Sequence, residues 1–432
     1  LKLQVRKAGK INSEISVPGD KSISHRAVML GALAQGPTTV TNFLMGADCL
    51  SSIDCFKKMG AEFSRPDNNT IIVKGNGLYG LREPQDVLDV GNSGTTIRLM
   101  LGILAGQPFF STVTGDASIC KRPMGRVTEP LLEMGAVIDG RQNGSLAPLA
   151  VRGGVLKPIK FNSPVASAQV KSAIILAGLY ARGQTEICEP HKSRDHTERM
   201  LAYLGAEIEV NPGDVKIKGG PTLSGKPVEV PGDISSAAFF MVAAAAIPGS
   251  RLIVKRVGLN PTRTGIIDVL KNMGAEITIL NEDEVNGEPV GDICVCGSEL
   301  KGTVIEGSLI PRLIDEIPVI TVAAAAAAGE TVIRDAAELK VKESNRIAVM
   351  AVELRKLGVN VSELEDGMIV QGGGSLKGAV CESHDDHRVA MSMAVAGLLA
   401  TGETVIKNTG CIGISFPGFA ETLAGLTDSA NI

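Results

Sequence analysis

A chain of 432 residues is too long for one ordinary hydrophobic core and points to two domains of roughly 200 residues each. A formal net charge of −4, three Tyr and no Trp supply neither the basic balance nor the aromatic platforms of a nucleic-acid binder. The most apolar stretches, Phe239–Ile247 and Val319–Ala328, are Ala-rich and far shorter than the ~20 residues of a membrane span, so they read as buried helices.

From the start of the chain, Leu1 to Lys10 alternates polar and apolar residues and lacks the apolar run of a signal peptide, so a cytoplasmic protein is expected. One unit then recurs: a small-residue helix, a glycine and a β-branched strand. It reads Val28–Ala34, Gly36, Thr38–Thr41, then Leu99–Ala105, Gly106, Thr112–Thr114, then Ser172–Ala181, Gly183, Thr185–Ile187. It continues as Phe239–Ile247, Gly249, Leu252–Val254, then Val319–Ala328, Gly329, Thr331–Ile333, then Val389–Ala400, Gly402, Thr404–Ile406. The glycines fall roughly 65–80 residues apart, a longer period than solenoid repeats show. A second marker follows each copy: Met59-Gly60-Ala61, Met134-Gly135-Ala136, Leu204-Gly205-Ala206, Met273-Gly274-Ala275 and Leu357-Gly358-Val359, with a truncated Leu423-Ala424-Gly425-Leu426. Each should end an amphipathic helix in a left-handed glycine cap and begin a strand. The expected class is therefore α/β, with six internal repeats in two similar domains of three.

Pro231-Gly232 punctuates the middle of the chain, and Val17-Pro18-Gly19-Asp20 matches Val230-Pro231-Gly232-Asp233. Two chain crossings are inferred there. One domain is then 19–231 and the other 1–18 plus 232–432, with the crossings forming the hinge.

Six segments open the buried helices: Gly19-Asp20-Lys21-Ser22-Ile23-Ser24-His25-Arg26, Gly91-Asn92-Ser93-Gly94-Thr95-Thr96-Ile97-Arg98, Ser167-Ala168-Gln169-Val170-Lys171, Gly232-Asp233-Ile234-Ser235-Ser236, Asp315-Glu316-Ile317-Pro318 and Asp385-Asp386-His387-Arg388. All carry capping residues and several add a cation. A helix start offers free N–H groups and roughly half a positive charge, so such starts attract anions. Connecting segments add Lys121-Arg122, Arg194 and Lys342-Glu343-Ser344-Asn345-Arg346. Any one cluster can be a capped helix with a solvated charge, but the set argues for small ligands bearing phosphate or carboxylate. Gly19-Asp20-Lys21-Ser22 lacks the upstream glycine and the Gly-Lys-Ser order of a P-loop, and no GxGxxG opens a helix after a strand. The eight cysteines show no CxxC pairing and read as reduced thiols, and His191, His196, His384 and His387 lack metal spacing.

In order and spacing these motifs resemble the 5-enolpyruvylshikimate-3-phosphate (EPSP) synthase family over nearly the whole chain. The resemblance rests on Pro18–Arg26, on Gly115-Asp116-Ala117-Ser118 with Lys121-Arg122-Pro123-Met124, on Val341–Arg346 and on Asp385–Arg388. It implies the enolpyruvyl transferase fold: two domains, each of three βαβαββ units, closing over phosphoenolpyruvate and shikimate 3-phosphate. It assigns shikimate 3-phosphate to Lys21, Ser22, Arg26, Ser167, Ala168, Gln169, Arg194, Asp315 and Lys342. Phosphoenolpyruvate falls to Lys21, Gly94, Arg122, Gln169, Arg346 and Arg388. Asp315, assisted by Lys21, is the candidate base for the 5-hydroxyl, and Glu343 the candidate acid for the methylene carbon. The cations around Glu343 would ordinarily depress its pKa, so desolvation or a relay through Lys21 is implied. The plainer alternatives are an ion pair from Glu343 to Arg346, three residues on, and a helix cap for Asp315. No metal or organic cofactor is implied, and a monomer is expected.

The better-studied branch of the family carries a Lys near the C-terminal Phe-Pro, where this chain has Ile414. Ser167–Lys171 and Ser193-Arg194-Asp195-His196-Thr197-Glu198 resemble the class II branch, which includes enzymes tolerant of the inhibitor glyphosate. A sister family that uses UDP-N-acetylglucosamine carries a reactive Cys in the loop matching Gly115–Pro123. Here Ala117 stands at that place, and Cys120 comes three residues later. A non-catalytic phospholigand binder on the same scaffold would lack the acid and base that Glu343 and Asp315 supply.

Overall fold

In the computed structural model, which describes residues 1–426, the six apolar segments are α1 (Lys21–Leu33), α2 (Gly94–Ala105), α3 (Ala168–Gly178), α4 (Ile234–Ala246), α5 (Ile317–Ala326) and α6 (His387–Leu399). They are apolar around most of their circumference, so they form cores rather than cover them. In α4, every residue from Ile234 to Ala245 is buried.

Each helix feeds a sheet of one recurring pattern. Around α2, α3 and α5 the strand before the helix runs parallel to the strand after it and the unit closes with an antiparallel pair, and α6 has the same parallel pair. Lys160–Asn162 runs parallel to Gln184–Cys188, which pairs antiparallel with Asp214–Lys218, which in turn pairs with Ile208–Asn211. Among the described residues there are five such four-stranded sheets and one of three strands, so the α/β class and the six repeats are present as read. Right-turning helix ends hand over to strands at Gly60, Gly135, Gly205, Gly274 and Gly358, all with φ between 85° and 104°. That is the left-handed region where a side chain is disfavoured. The truncated sixth marker differs: Gly425 has φ −70° and stays right-handed. The three-stranded sheet takes its remaining strand from Lys2–Arg6, antiparallel to Glu403–Lys407.

The chain forms two compact units. The inserted unit is Gly19–Val230 with the short segment Val285–Glu288, and the split unit is Leu1–Pro18, Pro231–Glu284 and Pro289 onward. The chain passes from one to the other at Pro18-Gly19 and returns at Val230-Pro231. The entry strands are exchanged accordingly. Asn12–Ser16 runs parallel to Arg251–Gly258 in the split unit, and Val228–Glu229 runs parallel to Gln35–Thr41 in the inserted unit.

Each unit has its own apolar core, α1–α3 in the inserted unit and α4–α6 in the split unit. In the inserted unit α2 and α3 approach closely through glycine. A Cβ on Gly102 would lie 2.1 Å from the Ala173 carbonyl oxygen, and one on Gly106 would lie 2.1 Å from Tyr180 Cγ. In the split unit the alanines of α4 and α5 allow the same economy of space, while Phe239, Phe240, Phe416 and Phe419 form an edge-to-face cluster. This packing holds the helix starts at fixed places, and the candidate residues sit on them or on the segments that connect them.

Candidate active site

In the inserted unit Asp20 caps α1 by accepting from the Ile23 N–H, and Ser93 caps α2 by accepting from the Thr96 N–H. A buried polar chain joins the two starts: His25 Nδ1 lies 2.8 Å from Ser52 Oγ, which lies 2.8 Å from Thr96 Oγ1, which donates to Ser93 Oγ at 2.7 Å. Burial, with Lys21 and Arg26 close by, holds the His25 pKa well below the usual 6.5, so the ring stays neutral.

The first two turns of α1 carry Lys21, Ser22 and Arg26. Lys21 pairs with Asp48 at 3.2 Å. The buried Arg26 guanidinium donates to Thr197 Oγ1 at 2.6 Å, Ser172 Oγ at 2.8 Å and the Ser22 carbonyl at 2.9 Å. Burial pulls its pKa down to about 10, and Arg194, half-buried nearby, adds to that fall. Gly94 opens α2 against two guanidiniums: a Cβ there would lie 3.0 Å from Arg98 Nη1 and 3.2 Å from Arg122 Nη1. Arg122 donates to Asn92 Oδ1 at 2.7 Å and Ser118 Oγ at 3.1 Å. Arg98 donates to Gln169 Oε1 at 2.6 Å, and Gln169 donates to Thr95 Oγ1 at 3.1 Å. Ser167 and Ala168 open α3, and the Ser167 side chain makes no capping bond there.

In the split unit one guanidinium organises the candidates. Arg346, 1% exposed, donates to Asp386 at 2.8 Å, Glu343 at 2.6 Å and Asp315 at 3.3 Å. Burial opposes its charge, but Asp386 and Glu343 outweigh the penalty and push the pKa above the usual arginine value. The buried Asp386 is held below the ordinary carboxylate range: burial works against its charge and Arg346 overcomes it. Lys342 Nζ lies 3.8 Å from Asp315, and Arg388 donates to the Asp315 carbonyl at 2.9 Å. Asp233 caps α4 and Asp386 caps α6. The expectation of a capping residue at every helix start fails at two places. The Ser167 side chain makes no capping bond, and Glu316 at the cap position of α5 makes none either. Pro318 in the first turn of α5 has no N–H to cap. Asp315 therefore lies before the cap position and faces Arg346.

Within the inserted unit the structure thus gathers Arg26 with Ser22, and Gly94, Arg122 and Gln169 around Arg98. Within the split unit it gathers Asp315, Lys342, Glu343, Arg346 and Arg388. Ile414 ends the 3₁₀ turn Thr409–Ile414. Three participants were assigned no ligand from the sequence, although Asn92 and Arg98 lie in the Gly91–Arg98 helix start. Arg98 follows Gly94 by four residues and so shares its helix face, a signal that was available. Asp48 and Asn92 reach their partners over 27 and 30 residues of chain, and neither residue type marks a contact of that length.

Fold and side chains together define an α/β protein of six repeated units, with cations gathered at helix starts and a carboxylate pair mounted on a single buried arginine. The chain belongs to the EPSP synthase family: the family model described as EPSP synthase (3-phosphoshikimate 1-carboxyvinyltransferase) matches residues 5–423. A protein of Pelotomaculum thermopropionicum named 3-phosphoshikimate 1-carboxyvinyltransferase is 63% identical over 423 residues, 98% of each chain. One of Desulforamulus reducens with the same name is 60% identical over 98% of this chain and 99% of its own. The solved structure of an EPSP synthase from Acinetobacter baumannii superposes with a TM-score of 0.88 at 45% identity, covering 99% of this chain and 98% of that one. These neighbours carry the two-domain enolpyruvyl transferase fold.

Proposed function

We propose that this chain transfers the enolpyruvyl group of phosphoenolpyruvate to the 5-hydroxyl of shikimate 3-phosphate, releasing inorganic phosphate. The observation that carries the chemistry is the pairing of Asp315 and Glu343 on Arg346, with Lys342 beside Asp315. Addition needs one group to take a proton and another to give one, and both are fixed on a common cation. Asp315, assisted by Lys21, takes the hydroxyl proton as that oxygen attacks C2 of phosphoenolpyruvate, and Glu343 protonates C3. In the tetrahedral intermediate C2 bears the carboxylate, the phosphate, the sugar-acid oxygen and a methyl group. Glu343 then takes a proton back from the methyl, the double bond re-forms and phosphate leaves carrying the proton that Asp315 took, so both carboxyl groups return to their starting states. Every proton has a side-chain carrier, so the scheme uses no metal or organic cofactor.

Lys21, Ser22, Arg26, Ser167, Ala168, Gln169 and Arg194 of the inserted unit, with Asp315 and Lys342 of the split unit, are assigned to shikimate 3-phosphate. Lys21, Gly94, Arg122 and Gln169, with Arg346 and Arg388, are assigned to phosphoenolpyruvate. Arginine forks match phosphate and carboxylate oxygens, and at Gly94 the missing Cβ leaves the backbone and the two guanidiniums open to a ligand. The domains assigned are 19–231 and 1–18 plus 232–432, of which residues 427–432 lie outside the described residues. Among the described residues no helix is long and apolar enough to cross a membrane. A monomeric cytoplasmic enzyme completes the reading, and sedimentation equilibrium tests the monomer.

The deciding test is phosphate release from phosphoenolpyruvate in metal-free buffer. Release that requires shikimate 3-phosphate supports the reading. Binding of both compounds without release would make the chain a silent binder.

A further inference from the structure

Lys171, on α3 one turn beyond Ser167 and Ala168, has no part in the scheme above, and its side chain is 1% exposed. Its Nζ lies 2.8 Å from Glu198 and 2.9 Å from Glu189, and it donates to the Ser193 carbonyl at 3.3 Å. Glu189 grips the same residue from the other side. It accepts from Ser193 Oγ at 2.6 Å and from the Ser193 N–H at 3.3 Å. Ser193 is therefore fixed through its N–H, its carbonyl and its hydroxyl, and the next residue is Arg194. Two residues beyond Asp195, Thr197 Oγ1 accepts from Arg26, so the same short segment connects both arginines assigned to the phosphorylated substrate.

A buried lysine with two carboxylates is an expensive way to fill space. Replacing such ions with apolar groups of similar volume is often neutral or stabilising, so the core alone does not require one here. Burial disfavours the charge of Lys171, yet Glu198 and Glu189 hold its pKa above the usual lysine value, and it keeps all three donors.

We propose that Lys171 is a positioning residue: with Glu189 it clamps Ser193 and so aims the Arg194 guanidinium at the phosphate of shikimate 3-phosphate. The inference rests on the assignment of Arg194 to that ligand. It predicts an effect confined to one substrate, because the clamp on Ser193 acts on Arg194, and both arginines that the segment connects are assigned to shikimate 3-phosphate.

The test compares Lys171→Met, Ser193→Ala and Arg194→Ala, alone and combined, by calorimetric titration with shikimate 3-phosphate and by initial rates in both substrates. Ser193→Ala keeps every buried charge and so guards against a misfolded Lys171 variant. Lys171→Met is expected to weaken shikimate 3-phosphate about tenfold, the scale of one hydrogen bond to a charged group, and Ser193→Ala in the same direction. KM for phosphoenolpyruvate should not move, and in the Arg194→Ala background neither change should cost anything more. Losses that remain additive with Arg194→Ala, equal shifts in both KM values, or parental affinity in Ser193→Ala would overturn the clamp alone. Unchanged affinity in Arg194→Ala itself would overturn the ligand assignment and this inference with it.

Discussion

Arg26 in the inserted unit and Arg346 in the split unit are both buried guanidiniums, yet they are held by groups of different kinds. Two hydroxyls and a carbonyl hold Arg26, and its pKa falls to about 10. Three carboxylates hold Arg346, and its pKa rises. Neutral partners orient a charge without cancelling it, so Arg26 still attracts an incoming anion. Three carboxylates around Arg346, with Lys342 and Arg388 beside Asp315, tie its charge into a network of ion pairs. Under the proposed function the units divide the labour. The inserted unit supplies affinity for phosphate, and the split unit supplies groups that exchange protons.

The largest effect that tests this division is on turnover. Glu343→Gln keeps the shape of the side chain and removes its proton exchange, so kcat should fall about 10²- to 10⁴-fold. Shikimate 3-phosphate affinity, measured by calorimetry, should stay near the parental value. Asp315→Asn should lower both quantities, since that residue is assigned to both tasks. If Glu343→Gln lost affinity and kept its turnover, Glu343 would be a partner of Arg346 and nothing more. Next in size is Arg122→Lys in the inserted unit. It removes the fork that Asn92 and Ser118 orient, and KM for phosphoenolpyruvate should rise roughly ten- to hundredfold with a smaller change in kcat. A change in kcat alone would erase the contrast between the units.

The repeated architecture could be read from the sequence because its signals are local. Each apolar helix is followed at once by a glycine and a β-branched strand, and each Met-Gly-Ala or Leu-Gly-Ala marker sits where the backbone needs a positive φ. Another repeated glycine was missed. Gly75, Gly153, Gly219, Gly297 and Gly372 each press against carbonyls at the end of a buried helix, where a Cβ would come within 1.8 to 2.3 Å of an oxygen. Its neighbours in sequence vary, so only packing reveals it. At the site, Glu343 and Arg346 could be paired from their spacing of three residues. Arg346 with Asp386 and Lys21 with Asp48 could not, because those contacts span 40 and 27 residues and depend on how the sheets bring the helix starts together.

A smaller effect tests the opening at Gly94. In Gly94→Ala the new Cβ would crowd Arg98 and Arg122, whose flexible ends must shift by a few tenths of an ångström. Overpacking on this scale costs about 1–3 kcal/mol, and a longer ligand should bear more of it than a shorter one. Inhibition by glyphosate should therefore weaken more than KM for phosphoenolpyruvate rises, about tenfold more if the difference is ~1.4 kcal/mol. Equal changes in both would show that the opening does not sort ligands by length.

The smallest effect separates the units by pH. The folded pKa of His25 lies below its unfolded value of 6.5, so below that pH the unfolded chain binds a proton that the folded inserted unit refuses. Stability should therefore fall as pH drops from 6.5 towards the folded value, by at most about 1.4 kcal/mol per pH unit for this one group. Asp386 in the split unit acts in a different window. Its folded pKa lies below 3.8, so its contribution is present above that pH and is lost as pH falls through the folded value. Urea unfolding between about pH 5 and pH 7 should show a slope that His25→Asn flattens, even if that variant is less stable throughout, since Asp386 stays ionised across the range. An unchanged slope would mean that the neutral, hydroxyl-bound ring is not what makes the inserted unit sensitive to mild acid. The two units would then differ in their charge partners and not in their response to protons.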